Sequence, residues 1–100
     1  MKSAIKNTAV IDAAVDAPVV IQTRGLFQIK KIAEQTWSCV PVLYGTNVVF
    51  AALELKVEQI DQLLTACKVP TLSFVEDSYV VEYFDGMDAD ELVKFGFNRA

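Results

Sequence analysis

Lys68-Val69-Pro70-Thr71 is the stretch that decides the fold we predict, because its one proline separates an amphipathic run from an apolar one. Proline has no N–H to donate to a sheet ladder, and it holds the residue before it in an extended conformation. It therefore belongs at the first residue of a strand. We expect a hairpin to follow, with strands over residues 72–75 and 79–83 joined by a polar turn.

The rest of the chain reads as alternating strands and helices. Mostly apolar runs without alternation of polarity, at residues 19–23 and 48–55, are typical of strands covered on both faces. Apolar residues at helical spacing predict helices over residues 24–37 and 57–66, with residues 37–47 as an irregular return.

The two ends of the chain complete this prediction. A short strand at residues 3–6 and a small helix over residues 8–15 begin it, and Asp88 with Glu91 forms a capping pair for a last helix. Parallel strands need crossover helices that cover the sheet. The prediction is thus an α/β fold with a central mixed β-sheet and helices on both faces.

Composition and charge limit the possible partners. The 100 residues suffice for a single domain over residues 1–100, and 53% of them are hydrophobic. Residues 1–50 hold five Lys and Arg against three acids, and residues 51–100 hold four against ten, for a net charge of −4. Nucleic acid binding needs clustered Lys and Arg, so we expect no nucleic acid partner.

Targeting signals and cysteine usage indicate a cytoplasmic protein. The first seven residues lack the apolar core of a signal peptide, and no apolar run approaches the length of a membrane span. The two cysteines, Cys39 and Cys67, do not form a CxxC motif. We expect both to be reduced thiols that act as small hydrophobes.

Several of these residues together resemble the thioredoxin family. The likeness runs from Asn7 to Phe95 and is strongest at Val69-Pro70-Thr71-Leu72, with Phe74 and the later Gly86. The family has a cis proline at this point, so the resemblance implies a cis Val69–Pro70 bond and a thioredoxin-like fold.

The same resemblance implies that this member is redox-inactive. The family's two cysteine positions fall on Leu26 and Ile29, and the buried aspartate and lysine that assist thiol exchange fall on Gln22 and Ala52. Thiol exchange needs a low-pKa thiolate and a resolving thiol. We therefore lean against an enzyme.

A binding role is the function that the resemblance favours. In the family, substrates cross the surface around the cis proline, which implies a protein or an extended peptide as the partner here. A homo-oligomer through the same apolar patch is a further interpretation, and a single-cysteine thiol oxidoreductase using Cys67 is the alternative. The predicted protein-binding residues are Leu26, Phe27, Gln28, Val69, Pro70, Asp85 and Gly86.

Neither a metal nor a cofactor is expected. The chain has no histidine, which is the commonest zinc ligand. Asp85, Asp88 and Asp90 lack the spacing of a calcium loop. Acids there suit the start of a helix, where they interact favourably with its dipole.

Overall fold

The computed structural model describes residues 23–100. In chain order its elements are β1 (Gly25–Ala33), β2 (Thr36–Leu43), β3 (Leu53–Leu55), α1 (Val57–Ala66), β4 (Ser78–Tyr83) and α2 (Ala89–Phe95). The predicted strand at residues 3–6, the helix over 8–15 and most of the strand over 19–23 lie outside the described residues.

The described strands form one four-stranded sheet in the order β3-β2-β1-β4, and every pairing in it is antiparallel. The predicted α/β fold, a thioredoxin-like mixed sheet with helices on both faces, is therefore wrong for this part of the chain. A parallel pair needs a helical crossover, whereas β1 and β2 are joined by a hairpin. The two helices contribute their buried residues to a single core.

Strand β1 occupies residues that the sequence led us to assign to a helix. Leu26, Ile29 and Ile32 have helical spacing, but Gly25, Phe27 and Ile29 also alternate with Leu26, Gln28 and Lys30. The second period prevails, because the alternation buries one face of the strand in the core.

The hairpin after β1 has no sequence signal of the usual kind. Gln35 takes the left-handed conformation, with a φ of 60°, where glycine or asparagine is favoured. The missing glycine is why the turn between Ala33 and Thr36 could not be recognised beforehand.

Strand β2 replaces the irregular return that Pro41 suggested. The Tyr44 N–H donates to the Arg24 oxygen, so the odd-numbered residues of β2 point their backbone groups toward β3. The β2–β3 ladder ends at Cys39 and Leu53, two residues before Pro41. Proline therefore occupies a position where no ladder donor is needed.

The Pro70 hairpin is also absent. The prolyl bond at Val69–Pro70 is trans, since no peptide bond of the described residues is cis, and residues 69–75 form neither strand nor helix. Phe74 takes a φ of 59°, which is incompatible with an extended strand over residues 72–75. Its ring instead packs edge-on against Trp37, with ring centroids 5.1 Å apart. The run over residues 48–55 likewise contributes only the three-residue β3.

The predicted helices on either side of this segment, α1 and α2, are confirmed. Helix α1 buries Ile60, Leu63 and Leu64, as its spacing indicates. At α2, the Glu91 backbone N–H donates to the Asp88 carboxylate, and the Asp88 backbone N–H donates to the Glu91 carboxylate. This is the predicted capping box. Strand β4 is confirmed as well.

The conformation of Gln35 gives a testable stability change. We expect Gln35→Gly to stabilise the fold by about 1 kcal/mol, because a left-handed φ penalises side chains with a Cβ. Thermal unfolding should show a rise in Tm of about 4–8 °C. Glu34→Gly is the matched control, since Glu34 has no positive φ and should only lose stability. A fall in Tm for both variants would contradict this account of the hairpin.

Candidate functional site

The predicted binding residues in β1 lie on both faces of the sheet. Phe27 is fully buried in the core and stacks on the Tyr83 ring, with centroids 5.1 Å apart. Leu26 and Gln28 point to the opposite face, since side chains alternate along a strand. Leu26 is half-buried there and Gln28 is exposed.

The other four predicted residues lie near the end of α1 and the end of β4. Val69 packs against the core and Pro70 is exposed. Asp85 accepts a hydrogen bond from the Lys68 ammonium at 2.7 Å, and this contact raises the pKa of Lys68. The predicted set of seven residues therefore does not form one surface, because Phe27 is buried on the face of β1 opposite to Leu26 and Gln28.

Gly86 has a packing role in this region. A Cβ at this position would overlap the Tyr83 ring and lie 2.9 Å from the Cys67 sulfur. The Gly86 N–H donates to the Thr23 oxygen, which continues the contact between the β1 and β4 ends. The glycine thus allows close approach of the chain to buried side chains.

One face of the sheet is left uncovered by the described residues. The strand registers arrange its side chains in three rows across β2, β1 and β4, and we call this the open face. The rows are Val42, Leu26 and Glu82; Val40, Gln28 and Val80; and Ser38, Lys30 and Ser78.

The open face is apolar toward one end. Val80 is 68% exposed, Val42 is 37% exposed, and Val49, which bridges to Val42, is 64% exposed. The half-buried Leu26 lies on β1, between β2, which carries Val42, and β4, which carries Val80. Exposed apolar side chains that adjoin one another are a mark of interaction surfaces, whereas single ones are ordinary.

Polar contacts hold the margin of this apolar region. The Tyr44 hydroxyl donates to the Glu82 carboxylate at 2.8 Å, which joins the end of β2 to β4 and raises the pKa of Tyr44. The Arg24 guanidinium lies over the Phe84 ring, 5.3 Å from its centroid. The opposite end of the face carries Lys30 between two serines.

The thiols lie on the other side of the sheet, inside the core. Cys39 and Cys67 are both free and buried. Burial, with a smaller effect of Cys67, raises the pKa of Cys39 to about 12. Burial also raises the pKa of Cys67, although a hydrogen bond from the Met87 backbone partly offsets it. Neither environment stabilises a thiolate.

Sequence reasoning identified Leu26 and Gln28 but missed Val40, Val42 and Val80. The signal for them was the alternation of Val40 and Val42 with the buried Cys39, Pro41 and Leu43. Pro41 and Gly45 favour an irregular segment there, which conceals the two-residue period.

The part of the chain that the structure describes holds neither a cluster of metal ligands nor a membrane-spanning helix. Within residues 23–100 no three potential ligands among Cys, Asp and Glu converge on a metal position. In the same residues no helix is both long and apolar enough to cross a bilayer.

Comparisons with protein-family models, with curated proteins and with solved structures return no match to this chain.

The packing role of Gly86 is open to a direct test. We expect Gly86→Ala to lower the free energy of unfolding by about 2–4 kcal/mol, because the added methyl group overlaps the Tyr83 ring. Denaturant unfolding measures the change. Asp85→Ala is the neighbouring control and should change it little, since its ion pair is exposed. Equal losses in the two variants would argue against a steric role.

Burial of both thiols predicts their reactivity. A thiol-specific reagent at pH 8 should leave the native protein nearly unlabelled and should label both cysteines after unfolding in guanidinium chloride. Rapid labelling of native Cys67 would contradict this expectation and favour the oxidoreductase alternative.

The buried Cys39 thiol also predicts a pH dependence of stability. Because the pKa of Cys39 is raised from 9.0 to about 12, its contribution to the free energy of unfolding is complete below pH 9.0 and declines as the pH rises toward 12.

Proposed function

We propose that this chain is a redox-inactive, non-catalytic protein-binding domain that engages a protein or an extended peptide through the open face of its sheet. The binding residues are Leu26, Val40, Val42 and Val80, with Gln28 supplying a central polar contact. The partner is the one expected from the sequence, whereas the surface differs from the one around Pro70.

The observation that carries this proposal is the uneven cover of the sheet. One face is packed by α1, α2 and the segment before β4, as the buried Ile60 and Leu92 indicate. The other face presents Val42 and Val80 to solvent within the described residues. An antiparallel sheet tolerates a wet face, but that face is then usually polar.

The energetics favour an apolar contact at the Leu26 end. Removing a Val or Leu side chain from water stabilises a complex by about 1.5–3 kcal/mol when the burial is complete. A few central side chains of this kind dominate the binding energy of most interfaces. Tyr44 and the Arg24–Phe84 pair lie beside this region, where aromatic and Arg side chains are typical of binding surfaces.

The oxidoreductase alternative has less support. Cys67 is 1% exposed, and the nearby Lys68 ammonium is engaged by Asp85. A reactive cysteine needs access and a stabilised thiolate. The two free thiols agree with the reducing conditions of the cytoplasm, which is the location we propose.

Panning a random-peptide phage library on the immobilised full chain tests the binding surface. We expect selected peptides whose affinity falls about tenfold or more in Val42→Lys, since a charge replaces a buried apolar anchor. Isothermal titration calorimetry measures each dissociation constant.

Val75→Lys is the matched control for this experiment. Val75 is 78% exposed, comparable with Val80, but it lies in the segment between α1 and β4. Peptides that bind both variants as tightly as the unchanged protein would exclude the open face. Circular dichroism confirms that each variant is folded.

A further inference from the structure

Strand β4 lies at one edge of the described sheet, and one side of its backbone has no strand partner among residues 23–100. Lys30 is opposite Ser78, and the Lys31 N–H donates to the Asp77 oxygen at 2.8 Å. Opposite residues in an antiparallel pair alternate between bonded and non-bonded pairs. Tyr79, Val81 and Tyr83 therefore bond to β1.

The alternate residues Ser78, Val80 and Glu82 consequently point their N–H and C=O groups away from β1. Within residues 23–100 no backbone or side-chain group is hydrogen-bonded to these edge groups. The side chains of the same three residues belong to the open face. The edge and the open face thus meet along β4.

The sequence of β4 protects this edge only through one charged residue, Glu82. Folded proteins usually block an exposed edge strand with a lysine, a proline or a bulge. Ser78–Tyr83 contains neither lysine nor proline, and its pairing with β1 runs without a register shift from Lys30 to Gly25. Its Tyr and Val residues have high strand propensity. The strand is suited to accept another strand.

We propose that β4 pairs antiparallel with β4 of a second copy of this chain, with the two-fold axis at Val80. This rests on the protein-binding function proposed above and gives that function a second surface at the sheet edge. Val80 lies opposite the partner's Val80, and Ser78 lies opposite the partner's Glu82. Each of these pairs has its N–H and C=O groups directed across the interface.

Self-complementarity is the reason for choosing a second copy. The three outward residues Ser78, Val80 and Glu82 are symmetric about Val80, so this register uses all of their backbone groups. A register centred on Glu82 would place two carboxylates directly opposite each other, which is unfavourable. A register centred on Ser78 would leave Glu82 opposite residues that are outside the strand.

Charge placement on the open face supports the same register. Lys30 is beside Ser78 in its row, and Ser78 would face the partner's Glu82. Each Glu82 carboxylate accepts from the Tyr44 hydroxyl of its own chain, so its interaction with the other copy's Lys30 is a longer-range attraction and not an ion pair. Because the two-fold axis repeats the arrangement, the basic end of each open face meets the acidic end of the other.

The core side of the strands agrees with this pairing. Tyr79 and Val81 of β4 are half-buried on the core face of the strand, at the margin of the core. In the proposed register Tyr79 lies opposite the partner's Val81. An aromatic residue facing a β-branched one is a favourable cross-strand pair. The dimer would join the two sheets into one continuous sheet.

Disulfide trapping of the full chain tests the register. Cα atoms of a hydrogen-bonded antiparallel pair lie about 5.5 Å apart, which is within the roughly 4.4–6.8 Å range of disulfides. We expect Val80→Cys to form a covalent dimer under mild oxidation, visible on a non-reducing gel, because the native cysteines are buried.

Glu82→Cys is the control for trapping. The two copies of residue 82 would lie about 14 Å apart along the strands, too far for a disulfide. The double variant Ser78→Cys with Glu82→Cys should again form the covalent dimer. Trapping of Glu82→Cys alone with none of Val80→Cys would overturn the proposed register.

Removal of an edge N–H tests the hydrogen bonding. Val80→Pro deletes a donor on the free side of β4, so it should raise the dimer dissociation constant about tenfold or more while leaving the β1 ladder intact. Val80→Thr keeps the donor and the β-branched shape, and should retain the dimer. Analytical ultracentrifugation measures both, with circular dichroism as the check on folding.

The outcomes separate this proposal from the binding function of the open face. Val42 lies on β2, two strands from the edge, so Val42→Lys should weaken peptide binding about tenfold or more and leave the dimer unchanged. If the dimer is present but Val42→Lys binds peptides normally, the open-face function fails alone. A monomer at all concentrations overturns the dimer, as does protection of the Val80 amide from hydrogen exchange in a monomer.

Discussion

The packing of the buried Tyr83 ring is the interaction on which the described structure depends most. It is fully buried, stacks on Phe27, and lies against two glycines, Gly25 and Gly86, where any Cβ would overlap it. Its hydroxyl donates to the Met87 oxygen at 3.1 Å, and its burial raises its pKa. One side chain therefore fixes the start of β1, the end of β4 and the approach to α2.

Much of the second half of the chain was predictable because its signals are local. The spacing of Ile60, Leu63 and Leu64 specifies α1, and the Asp88–Glu91 pair specifies the start of α2. The first hairpin was not predictable in this way. Its turn places Gln35 at a positive φ, and Pro41 is tolerated only because the β3 ladder ends before it. Both facts depend on tertiary pairing.

The candidate site was predicted only in part for a related reason. A strand sends successive residues to opposite faces, so the adjacent Leu26, Phe27 and Gln28 could never share one surface once β1 formed. A helix over the same residues would have grouped them differently. The apolar run over residues 48–55, which suggested a strand covered on both faces, forms only the three-residue β3, and it is β2 that has one buried face and one apolar open face.

The composition of the open face distinguishes strand propensity from a binding role. Valine at positions 40, 42 and 80 satisfies the strand preference for β-branched residues, and threonine would do so equally without exposing apolar surface. Leu26 is not β-branched, so strand propensity does not account for it. It occupies the middle strand between Val42 and the Glu82 that Tyr44 holds. An apolar side chain at that point fits the contact with another molecule proposed above, and the β4 edge would extend that contact surface to the backbone.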